Sequence, residues 1–540
     1  MSRSNVFNRV GGLRPKRSMF DLSYRKNFTC RMGQLIPVLC DEVVPGDYFK
    51  IGHALTIRMQ PMTAPIMHEI NATIHCFFVP YRILWDQWEE FIVQGDTPPL
   101  PISLPLMQPV VTNLLAKTTW DYLGLPFYQG PSPSQPNISS FPIDMPFRAY
   151  VNVWNEYYRD QNLQPEVPYT AEEMLKIRYR NWRKDYFTAA LPFRQKGQAP
   201  ALPVNVDIAW TASSPAANLM LRNPDETYVG PAGNAQAVGG SMATSTQLAF
   251  TPNPVSSPAG GGILGIPGDV LAAGLRAVST TFNVSDLRLA FQIQKWLERN
   301  ARAGTRYTEF LQAHFGVTPR DERLQRPEYI GGVGMPVIVS EVLQTSETSS
   351  GSDSPLASMA GHGLGADVQY LGDYNVKEYG VIIGLMSVMP KPSYQQGTNR
   401  QWLRRLPTDF YFPEFSRLSE QAILTSEIYT RWSSADNTIF GYTGQYDEMR
   451  VKHDMVCGEM RIRDTGSGTQ NLQLGYWNLT RYFLQRPTLN SDFVTTENSI
   501  REGDIFAVTD VDTLVCNCVN RIHAVRPLPL IAEPGLVDHF

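Results

Sequence analysis

Hydrophobic and polar residues alternate with a period of two over several short stretches, which is the pattern of strands that bury one face. The clearest stretch is residues 70–80, where apolar residues at even positions alternate with an asparagine, a threonine and a histidine. Near its end Phe77 and Phe78 are adjacent, so we expect this end to be buried on both faces. Pro80 cannot donate a hydrogen bond to a neighbouring strand and ends the predicted strand.

Further strands are predicted from the same alternation and from β-branched and aromatic content. They lie at residues 55–59, 336–342, 379–389, 450–463, 476–484 and 505–519. The 41 prolines and 40 glycines are spread along the chain, which is typical of short strands joined by long irregular loops. Because no internal repeat is found, the pattern predicts a mostly β body interrupted by long insertions.

A helical period replaces the strand period immediately after Pro80. Trp85, Trp88 and Phe91 fall on one face of a short predicted helix. Such an aromatic stripe could line a ligand site, but aromatic side chains at helical spacing usually pack against a core. We therefore interpret this stripe as core or intersubunit packing.

Two longer helices are predicted beyond residue 280. Ser285 can cap a helix that ends at Gly304. Its apolar stripe consists of Leu289, Ile293, Trp296 and Leu297. A second helix is predicted over residues 307–316, and weaker helical patterns occur at 152–158 and 172–182.

The N-terminal segment differs in charge from the rest of the chain. Up to residue 40, eight lysines and arginines face a single acid, Asp21, and aromatic residues are interleaved among them. Basic side chains neutralise phosphates and aromatic rings stack on unpaired bases, so this segment is predicted to contact nucleic acid. The residues assigned to that contact are Arg3, Arg9, Arg14, Lys16 and Arg17. A basic arm that clasps a neighbouring subunit is the alternative, and both can hold.

Composition shifts again between Thr211 and Thr280. Glycine, alanine, serine, proline and asparagine dominate this segment, and lysine is absent from it. Such a segment cannot build much core of its own. A loop of this length inside a compact domain is usually functional or held by a partner, and we expect it to lie at the surface.

The whole chain is slightly acidic, with 47 basic and 51 acidic residues and a formal net charge of −4. Any attraction to nucleic acid must therefore be local. No apolar run is long enough for a signal peptide or a transmembrane helix, which predicts a chain made or assembled in a cytoplasm without membrane insertion. The six cysteines lack the spacing of metal sites, and free buried thiols are expected.

Two short motifs suggest chemistry that their surroundings do not support. Residues 464–467 spell Asp-Thr-Gly-Ser, but an aspartic protease needs a second such aspartate to share a proton, and the chain has none. A hairpin turn is the better interpretation. Residues 361–366 loosely fit a dinucleotide-binding loop, but no strand–loop–helix unit surrounds them. With the eight histidines scattered, the sequence predicts no enzyme, no cofactor and no metal site.

Seven stretches in order along the chain carry a family resemblance. They are FDLSYRKNFTCRMGQLIPVLCDEVVPGD (20–47), FFVPYRILWDQWEEF (77–91), LRLAFQIQKWLERNARAGTRYTEFLQAHFGV (287–317), RLQRPEYIGG (323–332), EYGVIIGLMSV (378–388), YDEMRVKHDMVCGEMR (446–461) and RPLPL (526–530). Together they resemble the major capsid proteins of the Microviridae, small icosahedral single-stranded DNA bacteriophages, and specifically the gokushovirus branch. Their order, rather than any single motif, carries the resemblance.

The resemblance implies a mainly β fold, an eight-stranded antiparallel jelly roll with long loop insertions and a few short helices. It implies a structural subunit of a T=1 icosahedral capsid, located in the virion, with three-fold and five-fold contacts between copies. Residues 1–45 would form an interior-facing basic arm and residues 46–540 a single jelly-roll domain. Residues 211–280 would form a loop that protrudes at the three-fold axis and takes part in host attachment.

The resemblance also implies further partners. The shell would enclose a circular single-stranded DNA genome and would assemble with a scaffolding protein, a small basic packaging protein and a pilot protein. Assembly is expected in the cytoplasm of the bacterial host. Insertion loops vary widely within the family, so the sequence does not identify the host receptor.

A function from another class is a cytoplasmic all-β carbohydrate-binding or carbohydrate-active protein, since jelly rolls also serve lectins and hydrolases. It would need clustered carboxylates beside an exposed aromatic platform, and no convincing pair is found in the sequence. Particle size separates the two, because a capsid protein forms megadalton shells.

Overall fold

A computed structural model describes residues 16–93, 103–107, 116–126, 141–200, 220–222, 263–265, 284–343, 345, 359–464, 470–471 and 473–531. The chain divides into two compact units. One consists of Met1–Lys196 with Glu298–Phe540, and the other of Gly197–Leu297. The predicted insertion 211–280 falls within the second unit, where the described segments Met220–Arg222 and Ile263–Gly265 pair as antiparallel strands.

The first unit is built on one antiparallel sheet, which has nine strands in the described part of the chain. They are β1 (Ser18–Asp21), β2 (Tyr24–Cys30), β3 (Ile36–Val43), β4 (Tyr48–Met59), β5 (Ile70–Pro80), β6 (Glu328–Leu343), β7 (Met359–Asn375), β8 (Gly380–Pro390) and β9 (Leu514–Arg526). Their order is β1-β9-β4-β7-β6-β5-β8-β3, and β2 lies beside β1 along the same edge of β9.

The sheet folds into two halves because β6 belongs to both. Its beginning pairs with β5, and its end, Ile338–Leu343, pairs with β7. We call β2, β9, β4 and β7 the first half, and β6, β5, β8 and β3 the second half. Consecutive strands from β2 to β5 alternate between the halves, as in a jelly roll, which confirms the predicted fold class. The sheet has nine described strands rather than the predicted eight, because the short strand β1 pairs with β9 next to β2.

One apolar core lies between the two halves. Inward side chains of β4, such as Phe49 and Ile57, belong to the same cluster as Ile74 of β5 and Ile382 of β8. This arrangement follows from the period-two alternation of the strands, since every second residue of each strand points to the same side. All four of these side chains are almost completely buried.

The second half is buried on both faces. Phe78 points into the core between the halves, whereas Phe77 points outward and packs beneath a layer of helices. All eleven residues of β8 are buried. The prediction that the adjacent phenylalanines mark a doubly buried strand end is confirmed.

The helices are short, with one exception. In the described residues they are α1 (Tyr81–Leu84), α2 (Trp88–Val93), α3 (Thr119–Tyr122), α4 (Met145–Val153), α5 (Ala171–Leu175), α6 (Val284–Ala303), α7 (Tyr307–Phe315), α8 (Thr425–Ile428), α9 (Asp447–Arg450) and α10 (Ser491–Val494). A π-turn, Trp154–Tyr158, continues α4. Single 3₁₀ turns lie at Asp321–Leu324, Arg400–Trp402, Pro407–Asp409, Pro413–Arg417, Ser434–Asn437, Gly458–Met460, Gly475–Trp477 and Glu502–Asp504.

The two helices predicted beyond residue 280 are confirmed as α6 and α7. Helix α6 ends before Gly304, which has a positive φ of 97°, as expected at a helix C-terminus. The predicted apolar stripe of α6 is not buried, since Leu289 is 59% and Trp296 49% exposed.

The single helix predicted after Pro80 is instead two short helices. Trp85 has an extended backbone, with a φ of −150°, and interrupts the helical period between α1 and α2. The aromatic stripe still packs: the Trp88 ring centroid lies 4.9 Å from that of Tyr81 and 5.8 Å from that of Phe91.

Two predicted strands are wrong and a third is displaced. Residues 450–463 form only two-residue bridges, Asp454–Met455 with Ser393–Tyr394 and Arg463–Asp464 with Gln470–Asn471. Residues 476–484 contain no strand, because Asn478 uses its side chain to accept a hydrogen bond from the backbone N–H of Thr480. The strand predicted at 505–519 begins later, at Leu514.

Glycines allow β7 to approach its neighbours closely. Residues 361–366, which lie within β7, do not form a nucleotide-binding loop. A Cβ atom on Gly361 would lie 2.6 Å from the Cα of Pro65, and one on Gly363 would lie 2.3 Å from the sulfur of Met59. Both glycines point inward, where no larger residue fits.

A smaller cluster of the first unit packs around Phe187, Tyr394 and Phe493. It includes a two-stranded pair, Glu420–Leu424 with Ile439–Gly444. The buried Arg481 guanidinium lies 4.3 Å from the Phe493 ring centroid and donates a hydrogen bond to the Phe493 carbonyl. These contacts give the cluster a structural role.

Candidate nucleic-acid surface

The two halves of the sheet have outer faces of opposite character. The outer face of β3, β5 and β8 is covered by α1, α3, α4, α5 and the π-turn, and we call it the covered face. Phe77 and Ile383 on this face are at most 1% exposed. The Tyr150 hydroxyl of α4 donates a hydrogen bond of 2.8 Å to the Leu35 carbonyl and accepts one of 2.8 Å from the Arg178 backbone.

The outer face of the first half carries no such layer, and we call it the open face. It consists of the outward side chains of β2, β4, β7 and β9. Val515 of β9 is 44% exposed, Val368 of β7 is 58% exposed and Tyr370 of β7 is 61% exposed. Side chains here alternate with inward ones such as Cys516, which is 2% exposed.

Three arginines on adjacent strands dominate the charge of the open face. Arg25 of β2 lies opposite Val519, Arg521 of β9 lies opposite Gly52, and Arg58 of β4 lies opposite Val515. All three are exposed. Within the residues that the structure describes, none of them forms an ion pair or a side-chain hydrogen bond. Their guanidinium groups are therefore available to phosphates.

Acidic residues lie at one end of the open face. Asp21 lies opposite His523, and Asp373 lies opposite Lys50. Asp373 accepts hydrogen bonds from the hydroxyls of Tyr48, at 2.8 Å, and Tyr370, at 3.1 Å. These bonds lower the pKa of Asp373, which stays ionised. Arg521 lies two β9 positions from this acidic end, so the surplus of positive charge lies beyond it, toward Arg25 and Arg58.

The β7 side of the open face is apolar and aromatic. Leu364 of β7 lies opposite Arg58 of β4 on one side and opposite Ile338 of β6 on the other side. Tyr370 presents an exposed ring beside the cationic strands. Basic groups that neutralise a backbone, placed next to rings on which bases stack, are typical of surfaces that bind single-stranded nucleic acid.

The predicted arm leads into this face. Arg3, Arg9 and Arg14 lie outside the described residues. Lys16 and Arg17 are exposed and precede β1, which pairs with β9 from Ser18. The remainder of the predicted arm, residues 18–45, forms β1, β2, β3 and the turn that follows.

Sequence reasoning missed most of the basic residues of the open face. Lys50, Arg58, Arg521 and His523 are separated in the sequence and lie outside the basic segment. A signal was present, because each occupies an alternate position of a strand whose intervening residues are mostly apolar and buried. Arg25 belongs to the basic segment but was not among the residues assigned to nucleic acid.

Other basic residues near the N-terminus have structural partners. Lys26 is turned inward, and its Nζ donates hydrogen bonds to the carbonyls of Pro37 and Tyr122. Burial lowers the Lys26 pKa to about 8. Arg526 pairs with the fully buried Asp47, its Nη2 lying 3.0 Å from Oδ2.

The described residues present neither a metal-binding cluster nor a membrane-spanning helix. No group of three or more histidine, cysteine, aspartate or glutamate side chains there is arranged to hold a metal ion. Among the described helices, none has the length and apolar character needed to cross a bilayer.

Comparison with known proteins agrees with this architecture. Residues 8–536 match the family model described as capsid protein (F protein). The chain is 32% identical to capsid protein VP1 of Chlamydia phage 1, over 98% of both chains. It is 30% identical to capsid protein VP1 of Bdellovibrio phage phiMH2K, over 99% of this chain and 98% of the relative.

A third relative is capsid protein VP1 of Spiroplasma virus 4, which is 29% identical over 99% of this chain and 98% of its own length. These matches confirm the resemblance found in the sequence and the prediction of a structural protein rather than an enzyme. The chain belongs to the phage capsid protein family, the F protein family, over nearly its whole length.

Proposed function

We propose that the chain is the subunit of a T=1 icosahedral capsid that encloses circular single-stranded DNA, and that its open face lies toward the genome. The observation that carries the orientation is the group of three exposed arginines, Arg25, Arg58 and Arg521, without acidic partners among the described residues. Membership of the capsid family supports self-assembly.

The arm extends the same surface. Lys16 and Arg17, with Arg3, Arg9 and Arg14 ahead of them, would contact DNA beyond the edge formed by β1. Family resemblance further suggests a scaffolding protein, a small basic packaging protein and a pilot protein as partners, assembly in the host cytoplasm and location in the virion.

The insertion of residues 211–280 is proposed to protrude at the three-fold axis and to take part in host attachment. Its composition supports this role, because a segment rich in glycine and serine needs partner chains to become ordered. Protease cleavage within it should be rapid in the free subunit and slow in assembled particles. Equal rates would contradict ordering by neighbouring copies.

A carbohydrate-binding or carbohydrate-active protein is the weaker candidate. Full-length similarity to three capsid proteins weighs against it. A particle of megadalton size in negative stain would support the capsid, whereas a monodisperse monomer would support the alternative.

The genome-facing role of the open face is tested by the triple variant Arg25→Gln, Arg58→Gln, Arg521→Gln. Because the three side chains are exposed and unpaired, particles should assemble but package less DNA. The matched control is Arg323→Gln, Arg405→Gln, Arg417→Gln, which removes three exposed arginines elsewhere. Equal DNA content in both variants would overturn the assignment.

Deletion of Ser2–Arg17 tests the arm separately. Packaging should fall more than assembly, since the removed residues precede the first strand of the sheet. Normal DNA content in the deleted particles would contradict the assignment of the arm.

A further inference from the structure

A large cavity lies away from the open face. It has a volume of about 1060 Å³ and is bounded by β5, the start of β6, the π-turn and the segments around residues 180 and 320. No arginine of the open face lines it. The cavity is therefore a separate feature from the proposed DNA surface.

The cavity contains more positive than negative charge. Four of its five carboxylates form ion pairs: Asp160 with Lys184, Glu309 with Arg306, Asp321 with Arg326, and Glu322 with Lys377. Four arginines that line it have no acidic partner within ion-pair distance in the described residues: Arg159, Arg180, Arg183 and Arg320. An anion would balance this surplus.

Of these four arginines, Arg180 gives the clearest indication that the cavity binds an anion. Its Nη1 donates hydrogen bonds to two neutral hydroxyls, Thr73 Oγ1 at 2.5 Å and Ser387 Oγ at 2.9 Å. Its guanidinium lies 5.7 Å from the Tyr158 ring centroid. Burial lowers the pKa of Arg180. A charge removed from water is normally paired, and this partly buried guanidinium has no carboxylate counter-ion among the described residues.

Aromatic rings form the adjoining wall. Tyr329 is 49% exposed, and its ring centroid lies 5.5 Å from that of Phe77 and 6.0 Å from that of His75. Such a wall offers a flat apolar surface to a ring of a ligand. A site that combines a few fixed charges with an aromatic wall is typical of small-molecule binding.

We propose that this cavity binds a phosphate monoester that carries a ring. The phosphate lies against Arg180, Arg183 and Arg320, and the ring lies against Tyr329. A mononucleotide and a sugar phosphate share this chemistry. The proposal does not depend on the direction in which the open face points.

The test is equilibrium dialysis of assembled wild-type particles against three radiolabelled probes: inorganic phosphate, thymidine 5′-monophosphate and glucose 6-phosphate. One saturable site per subunit is expected for at least one ester, with inorganic phosphate at least tenfold weaker because it lacks the ring. Tighter binding of the nucleotide or of the sugar phosphate shows which of these two kinds of ester the cavity binds. Absence of saturable binding of both esters overturns the proposal.

Variants of the lining residues test which side chains bind the ligand. Arg183→Gln with Arg320→Gln should weaken ester binding about tenfold or more, since each side chain is exposed and its loss leaves the fold intact. Tyr329→Ala should weaken the esters and leave inorganic phosphate unchanged. Arg405→Gln, outside the cavity, is the matched control. Ester binding that is equal in the double variant and the control overturns the assignment, even if Arg180→Gln fails to fold.

Discussion

The covered face and the open face belong to the same sheet but bury different amounts of side chain. On the covered face, Phe77 and Ile383 are at most 1% exposed beneath helices. On the open face, Val515 and Tyr370 are 44% and 61% exposed. The difference arises because a layer of helices packs on the apolar covered face, whereas the open face mixes basic and apolar side chains and carries no such layer. One face is thus framework, and the other is free to bind a partner.

The largest expected effect is on the covered face. Phe77→Ala would remove a fully buried ring between sheet and helices and should lower the free energy of unfolding by about 3–5 kcal/mol. The matched change on the open face, Val515→Ala, should cost less than about 1 kcal/mol, because that side chain is already half exposed. Denaturant unfolding of the purified subunit measures both. Similar losses would contradict the contrast between the faces.

The next effect concerns His53, which lies in the core between the halves. Burial lowers its pKa to about 4, so the folded chain keeps it neutral. As pH falls from 6.5 to 4, the unfolded chain takes up a proton that the folded chain does not, and stability declines by roughly 3 kcal/mol from this residue.

The variant His53→Gln should lose that part of the pH dependence. The control is His523→Gln on the exposed open face. Burial raises the pKa of the Asp41 carboxyl to about 6, so its protonation stabilises the fold as pH falls. This opposing effect is the same in both variants. Melting of the purified subunits between pH 7 and 4 decides the matter. An unchanged profile for His53→Gln would contradict the assignment of the acid sensitivity to this residue.

A smaller effect is expected from Tyr150→Phe. The variant leaves the Leu35 carbonyl and the Arg178 N–H without their hydroxyl partner under the helical layer. The free energy of unfolding should fall by about 1–2 kcal/mol. Tyr307→Phe is the control, because that ring is 63% exposed at the start of α7, and it should change the free energy of unfolding by less than about 0.5 kcal/mol.

The smallest effect on stability is expected from the triple arginine variant of the open face, within about 0.5 kcal/mol per substitution. Its effect on DNA should be large. Loss of three phosphate contacts should reduce the salt dependence of single-stranded DNA binding, lowering the slope of log affinity against log salt by about 2. Filter binding of the subunit at several salt concentrations measures that slope. A wild-type slope in the variant would contradict the assignment of DNA binding to these arginines.

Much of the fold could be predicted from local patterns. The adjacent Phe77 and Phe78 marked a doubly buried strand, and Gly304 marked the end of α6. The break at Trp85 could not be predicted, because a helical period continues across it. In the folded chain its ring packs against the apolar cluster of the covered face. The strands predicted at 450–463 and 476–484 failed because alternation does not guarantee a neighbouring strand, and side-chain hydrogen bonds such as that of Asn478 competed.

The candidate surface was harder to predict than the fold. The sequence concentrates positive charge before residue 32, so the charge pattern predicted nucleic-acid contact only in the arm. Arg58 and Arg521 are more than 400 positions apart in the sequence and come to lie on the same face only through the pairing of β4 with β9. Arg58 lies opposite Val515, six positions along β9 from Arg521, so the two are roughly 20 Å apart on that face. No linear charge pattern reveals this arrangement.

The orientation of the sheet in the particle tests the central claim most directly. A cryo-electron microscopy reconstruction of the DNA-filled capsid should place Arg25, Arg58 and Arg521 on the inner surface, next to density for nucleic acid, with the helices of the covered face toward the outside. A shell in which those helices line the interior and the open face lies on the outer surface would contradict the account.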